Sequence, residues 1–173
     1  SEPQAGSNPA EMTTTATREG DEYVLDGHKR WITNGRRGGV AIVFAKTDPD
    51  DPDTVTQFLV PADVDGFEPG EPERKLGLRA SDTTDVVLDG CRIPAENRLT
   101  EVGEGLASAF RILTGGRIGI GAQAVGLARA ALEEATTYAA DREQFGRSIS
   151  EFQSIRHTIA EMATRIEASR ELV

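Results

Sequence analysis

Two hydrophobic rhythms divide the chain. Between Thr13 and about Leu99 the apolar residues come in short β-rich runs, interrupted every ten residues or so by Asp-Gly, Pro-Ala and Gly-Gly pairs. That punctuation favours strands over any sustained helix. The run EYVLDGHKRWI predicts two strands joined at Asp26-Gly27, a dipeptide suited to a type I′ turn because both central residues need positive φ. VVLDGCRI predicts a second such hairpin at Asp89-Gly90. Between them, VAIVFAKT (40–47) and TVTQFLV (54–60) predict another pair, separated by the loop Asp48-Pro49-Asp50-Asp51-Pro52-Asp53.

After Pro94 the apolar residues return at alternating steps of three and four, the period of an amphipathic helix. Leu106, Phe110, Leu113, Ile120, Ala124, Leu127 and Ala131 share one stripe, with Arg117 in its single polar gap. Phe152, Ile155, Ile159, Met162, Ile166 and Val173 form a second. Each stripe asks for a helical neighbour. Asp141 to Gly146 breaks the two, with Gly146 as a left-handed stop. The economical picture is two antiparallel helices of a larger bundle, since two alone leave their far faces wet. The chain has no initiator Met and closes in a running helix, so cuts are expected at both ends.

Charge narrows the partners. Nineteen basic against 29 acidic side chains give a net charge of −10, and residues 1–100 carry 11 and 19 of them. Such a surface repels a phosphate backbone, so no nucleic-acid partner is expected. The lone Cys91 forms no internal disulfide, and neither CxxC pairs nor a His/Cys cluster supply a metal site. No run approaches the roughly 18 apolar residues of a membrane span. A soluble protein of a reducing, cytoplasmic compartment is the expectation, with no metal and no membrane insertion. The acidic loop at 48–53 reads as solvated surface, because two prolines stiffen it and the spacing of a calcium loop is missing.

Several short motifs invite chemistry. Gly115, Gly116, Gly119, Gly121 and Gly126 resemble a phosphate-cradling loop in composition, but no strand precedes them, and small residues for tight helix packing explain them better. Ser1 to Ser7 is a polar, turn-rich segment whose Gly6 and Ser7 present donors to an anion, or an ordinary turn. Trp31-Ile32-Thr33-Asn34-Gly35 is sharper: in a strand, Trp31 and Thr33 share one face and offer an indole beside a hydroxyl. A planar aromatic ligand suits that pair; a half-buried strand tryptophan before an Asn-Gly turn fits equally. His28 and His157 have no triad partners and are expected at the surface. Arg142 and Gln153 flank Phe145-Gly146, where a guanidinium fork suits phosphate.

Taken in order, these segments resemble the acyl-CoA dehydrogenase family of flavoproteins from Ser1 to Val173. SEPQAGSN is similar to a family signature, with Gln4 and Asn8 departing from the usual Gly and Asp. DEYVLDGHKRWITNG, LGLRASDTTDVVLDGCRIPAENRL and Arg142-Glu-Gln-Phe-Gly146 with Glu151-Phe-Gln153 resemble later family segments. The resemblance implies an α+β fold: an orthogonal β-sheet middle domain over 1–100, then antiparallel helices of an incomplete four-helix bundle over 101–173. It implies FAD as cofactor, with Ser1, Ser7, Trp31, Ile32 and Thr33 against it and the Thr33 hydroxyl near the flavin N5. Ser7 and Arg117 would also face an acyl-CoA substrate. Arg142, Phe145 and Gln153 would reach the FAD of a neighbouring subunit in a homo-oligomer, a tetramer or dimer.

The implied reaction is α,β-dehydrogenation: a glutamate removes the α-proton while the β-hydrogen leaves as hydride, and electrons pass on to electron-transfer flavoprotein. Relatives of the same fold include acyl-CoA oxidases, flavin monooxygenases and non-catalytic flavoproteins. One place the family uses for its glutamate is Gly116 here, and the other is expected beyond Val173. Residues 1–173 by themselves are therefore expected to be inactive.

Overall fold

The computed structural model describes residues 1–173, in two compact units, Ser1–Phe110 and Arg111–Val173. The first is built on a six-stranded mixed sheet of β1 (Thr15–Glu19), β2 (Glu22–Thr33), β3 (Val40–Lys46), β4 (Val55–Pro61), β5 (Phe67–Pro69) and β6 (Thr83–Pro94), in the order β4-β3-β1-β2-β6-β5. Every neighbouring pair is antiparallel except β1 with β3. With helices following the sheet, the fold is α+β, as the two rhythms predict.

One face of the sheet is the core. Leu25, Phe58, Val60, Cys91 and Ile93 are essentially inaccessible, and Tyr23 meets Phe58 with ring centroids 4.8 Å apart. Alternation explains the choice: in β6, Thr84, Val86 and Leu88 are buried while Asp85, Val87 and Asp89 are not. A second cluster gathers Ala5, Met12 and Val55, with Phe44 and Leu106 packed against it, and so fastens the N-terminal segment to the sheet.

The expected Asp-Gly hairpins do not form. β2 runs unbroken through Asp26-Gly27 and β6 through Asp89-Gly90, and the two dipeptides face each other across the β2/β6 ladder. There Asp89 and Gly90 stand opposite Asp26 alone, a β-bulge in which Gly90 takes φ +63° and donates its N–H to Asp26 Oδ1 at 2.8 Å. Gly27 answers a different demand: a Cβ there would collide with the Thr14 side chain at Oγ1. The sequence points to turns at both glycines because a bulge uses the same residues. The β1/β2 turn sits instead at Gly20-Asp21, between the paired Glu19 and Glu22. The strands expected at 40–47 and 54–60 are β3 and β4. The intervening loop is exposed, and Asp48 and Asp51 accept backbone N–H groups two residues on.

The long helix α1 (Gly105–Asp141) begins in the first unit and continues through the second, where α2 (Gln153–Leu172) follows it. The two run antiparallel: their linked ends meet at the connection, and at the other end Val173 Cγ2 would lie 3.2 Å from a Cβ on Gly121. The α2 stripe is half-buried from Phe152 to Met162, with Ile166 buried and Val173 exposed, whereas Leu113, Ile120 and Leu127 on α1 stay exposed. Gly115, Gly116, Gly119 and Gly126 likewise face open space, so tight packing is met within the chain only at Gly121. The connection is also not the simple stop expected at Gly146. It is a two-stranded hairpin of β7 (Glu143–Gln144) and β8 (Arg147–Ser148), whose turn residues Phe145 and Gly146 have φ 54° and 76°. Positive φ at both centres is the type I′ pattern, found here rather than at either Asp-Gly pair.

Candidate functional site

Four non-glycine residues have positive φ: Trp31 (62°), Asn34 (59°), Leu78 (49°) and Phe145 (54°). A left-handed backbone costs a bulky residue roughly 1–2 kcal/mol and persists only where its surroundings impose it. All four fall in motifs singled out by sequence. At Trp31 the imposing element is a second irregularity of the β2/β6 ladder: Lys29 pairs with Val86 and Ile32 with Thr84, so Arg30 and Trp31 stand opposite Asp85 alone. The simple alternation expected for Trp31 and Thr33 is thus broken by an extra residue. Both side chains are nonetheless open to solvent: Trp31 is 56% exposed and Thr33 exposed, while Ile32 between them packs against the core. The half-buried tryptophan of a structural strand is not what the chain contains.

The N-terminal segment is held beside this bulge. The Arg30 N–H, freed from the ladder, donates to the Ser1 carbonyl at 2.8 Å. Glu2, buried, accepts at Oε1 from Lys29 Nζ (2.7 Å), Thr14 Oγ1 (2.5 Å) and Thr14 N (3.2 Å), and at Oε2 from Thr13 N (2.7 Å). Lys29 Nζ also donates to the Phe44 carbonyl at 2.7 Å, tying the segment to β2 and β3. Burial alone would raise the Glu2 carboxyl, but the hydrogen bonds from Lys29, Thr13 and Thr14 overcome it and hold the pKa at about 2. Burial lowers the Lys29 ammonium, opposed by Glu2. Ser1 and Ser7 are exposed at the two ends of this tethered loop.

Beside Trp31 lies a polar cluster. Asp85 accepts from His28 Nε2 at 2.8 Å and from Arg30 Nε at 3.3 Å, and the Arg30 guanidinium carbon is 4.7 Å from the Trp31 ring centroid. Asp85 is held below the usual carboxylate range: desolvation pushes it up, and the His28 hydrogen bond and the charge of Arg30 push it further down. His28 is at the surface, as expected, but the β2/β6 pairing that brings it to Asp85 leaves no mark in the sequence. Glu2 and Lys29 are likewise a buried pair that the sequence does not announce: they are 27 residues apart, and Lys29 is one of several charged residues in its strand.

On the second unit, Arg142, Phe145 and Gln153 are all exposed around the β7/β8 hairpin. The hairpin is anchored to the end of α1 by the Ile149 N–H on the Arg142 carbonyl (2.8 Å) and Ser148 Oγ on the Ala139 carbonyl (2.7 Å). Phe145, 93% exposed, lies edge-on to Phe152 at 6.1 Å, and Arg147 stacks over the Phe152 ring at 4.3 Å. Arg117 and Gly116 lie exposed on α1, with no carboxylate at 116. The expected site residues thus fall into one group on the β unit and one around the β7/β8 hairpin, with Arg117 apart from both on α1.

An exposed indole, the Thr33 hydroxyl beside it and the exposed hydroxyls of Ser1 and Ser7 make a donor set that fits a flat, polar-edged ring such as a flavin. The aromatic tip at Phe145 beside Arg142 fits a phosphate-bearing cofactor. Comparison with known proteins identifies the family. Residues 1–91 match the acyl-CoA dehydrogenase middle domain and residues 103–173 the acyl-CoA dehydrogenase C-terminal domain. A probable acyl-CoA dehydrogenase, fadE25, of Mycobacterium leprae is 46% identical over 100% of this chain and 45% of its own length. Among solved structures, butyryl-CoA dehydrogenase from Megasphaera elsdenii superposes with a TM-score of 0.95 at 42% identity, covering 99% of this chain and 45% of that one. A glutaryl-CoA dehydrogenase from Mycobacterium smegmatis in complex with FADH2 gives 0.91 at 42% identity, covering 98% and 42%. The chain therefore spans less than half the length of these relatives, and it belongs to the acyl-CoA dehydrogenase family.

Proposed function

We propose that this chain supplies the cofactor-facing and part of the substrate-facing wall of an FAD-dependent acyl-CoA dehydrogenase. FAD, when bound, supplies the hydride acceptor for α,β-oxidation of the thioester. Trp31 and Ile32 flank the ring plane, and the Thr33 hydroxyl donates to its reactive edge. Ser1 and Ser7 hydrogen-bond at the rim, and Ser7 with Arg117 orients the acyl-CoA. Arg142, Phe145 and Gln153 hold the FAD of a neighbouring copy, which makes the protein a homo-oligomer, dimer or tetramer, with the domain boundary near residue 100. No base is assigned among residues 1–173, because Gly116 has no carboxyl to offer. Electron-transfer flavoprotein takes the electrons, in an aqueous compartment reducing enough to keep Cys91 a thiol.

The observation that carries this reading is the left-handed Trp31, strained, exposed and next to an exposed threonine hydroxyl. Backbone strain that sets an aromatic ring into solvent gains nothing for the fold, and is accounted for when the indole is aimed at a ligand. The test uses the full-length protein with Trp31→Ala and Thr33→Val, measuring FAD per protein and oxidation of butyryl-CoA with a dye or with oxygen as acceptor. Trp31→Ala is expected to lose most of its FAD, and Thr33→Val to keep FAD while turning over about 10²-fold more slowly. Unchanged FAD content and turnover in both variants overturns the reading. Faster reoxidation by oxygen than by dye would assign an oxidase instead.

A further inference from the structure

The ladder bulge fixes the backbone of Trp31 but not its indole, which is 56% exposed and free to turn about its side-chain bonds unless something holds it. One group does. The Arg30 guanidinium lies 4.7 Å from the ring centroid, within the range of a cation–π contact. Arg30 is itself held: Nε donates to Asp85 Oδ1 at 3.3 Å, and a terminal nitrogen lies 3.7 Å from Glu73 Oε1. Asp85 is held in turn by His28 on its other oxygen at 2.8 Å. His28, Arg30 and Asp85 lie on adjacent β2 and β6, and Glu73 is drawn in by its N–H on the Thr83 carbonyl at 2.8 Å.

Two features set this apart from an ordinary surface ion pair. Two carboxylates balance the cation, so Arg30 is poorly suited to recruiting a phosphate and well suited to acting as a fixed planar plate. Arg30 and Trp31 are also the two bulged residues, so the extra residue that strains Trp31 brings the guanidinium to its ring. Beside that plate the ring keeps 56% of its surface exposed, where a ligand can meet it.

We propose that Arg30 is a positioning residue: clamped by Asp85 and Glu73, it stacks on the Trp31 indole and pre-sets it as the flat wall against which the flavin binds. This rests on the flavin reading above, and the experiment separates the two. Full-length protein is labelled with 5-fluorotryptophan, the Trp31 signal is assigned by its loss in Trp31→Phe, and 19F spectra are recorded together with the rate at which FAD is released on dilution. Arg30→Gln is expected to shift and broaden the Trp31 signal and to speed FAD release about threefold to tenfold, with the melting temperature nearly unchanged. Arg30→Lys, keeping the charge but not the plate, should fall between, and Asp85→Asn should act in the same direction as Arg30→Gln, more weakly.

An unmoved Trp31 signal in Arg30→Gln overturns the proposal, as does a moved signal with unchanged FAD release. A raised KM for acyl-CoA with both readouts unchanged also overturns it, by assigning Arg30 to the substrate. Should Trp31→Ala itself release FAD at the parental rate, the flavin reading fails instead, whatever the 19F spectrum of Arg30→Gln shows.

Discussion

The two units of this chain bury their side chains by opposite strategies. The β unit closes upon itself: its sheet carries a dry face of Leu25, Phe58 and Ile93 and also takes a charged pair, Glu2 and Lys29, out of water. The helical unit leaves one flank bare, with Leu113, Ile120 and Leu127 of α1 exposed while Ile166 of α2 is covered. A sheet satisfies its backbone between neighbouring strands and can finish a core with nearby loops. A pair of helices shares a single mutual interface, so apolar residues turned away from it, such as Leu113, Ile120 and Leu127, stay in water. Functional geometry follows the same division. In the β unit the candidate residues are fixed by long-range pairing, whereas in the helical unit all but Arg117 gather around one local hairpin.

The most demanding test of that contrast is the buried pair. Glu2→Gln leaves an unpaired ammonium inside the β unit and should cost about 3–5 kcal/mol in urea unfolding, whereas Glu2→Gln with Lys29→Met should recover much of it. The pH dependence has a definite sign. The Glu2 carboxyl titrates at about 2 in the folded protein, below its ordinary value of 4.5, so its contribution is complete above about pH 4.5 and is lost as pH falls toward 2. Stability of the parent should therefore decline over that window more steeply than stability of Glu2→Gln. Equal slopes would mean that the carboxylate is not held as the geometry shows.

Next in size is the pair of leucines that the two strategies treat differently. Leu25→Ala removes an inaccessible side chain from the sheet core and should cost about 2–5 kcal/mol. Leu127→Ala, on the bare flank, should change the unfolding free energy of residues 1–173 by less than about 0.5 kcal/mol. In the full-length protein the second figure becomes diagnostic: a cost near that of Leu25 would show the α1 flank packed by further helices, and a persistent near-zero value would show it open.

What the sequence makes legible follows the range of the interaction that decides it. Period-two and period-three-to-four spacing depend on neighbours a few residues away, so β3, β4, α1 and α2 can all be read directly. The Asp-Gly pairs mislead because residue type specifies the backbone shape that a glycine permits, while the partner strand decides whether that shape is a turn or a bulge. Trp31 and Thr33 are legible as a motif, yet their true disposition depends on Asp85, more than fifty positions away in the chain. Glu2 is visible only as part of a signature. Its role depends on Lys29 crossing beneath the N-terminal segment, and no spacing rule announces such a crossing. The helical site is more legible, since Arg142, Phe145 and Gln153 fall within a dozen residues, although its small hairpin passes for a helix stop.

That hairpin supplies the smallest effect and the cleanest comparison between local and long-range control. Gly146 sits at φ 76° with nothing within 4 Å of where a methyl group would stand, so Gly146→Ala meets backbone strain and no steric clash. The cost should be about 1 kcal/mol, the preference of an L-residue against the left-handed region. Because the turn is two residues long, the strain has no neighbour to share it except Phe145, already at φ 54°. Gly146→Asn, which tolerates that region, should lose less than Gly146→Ala. A thermal melt of each variant, compared with the parent, reads the order directly. If Ala and Asn prove equal, the β7/β8 register is held by Ser148 and its bond to Ala139 rather than by the turn, and the helical unit would then control its site through tertiary contacts, as the β unit does.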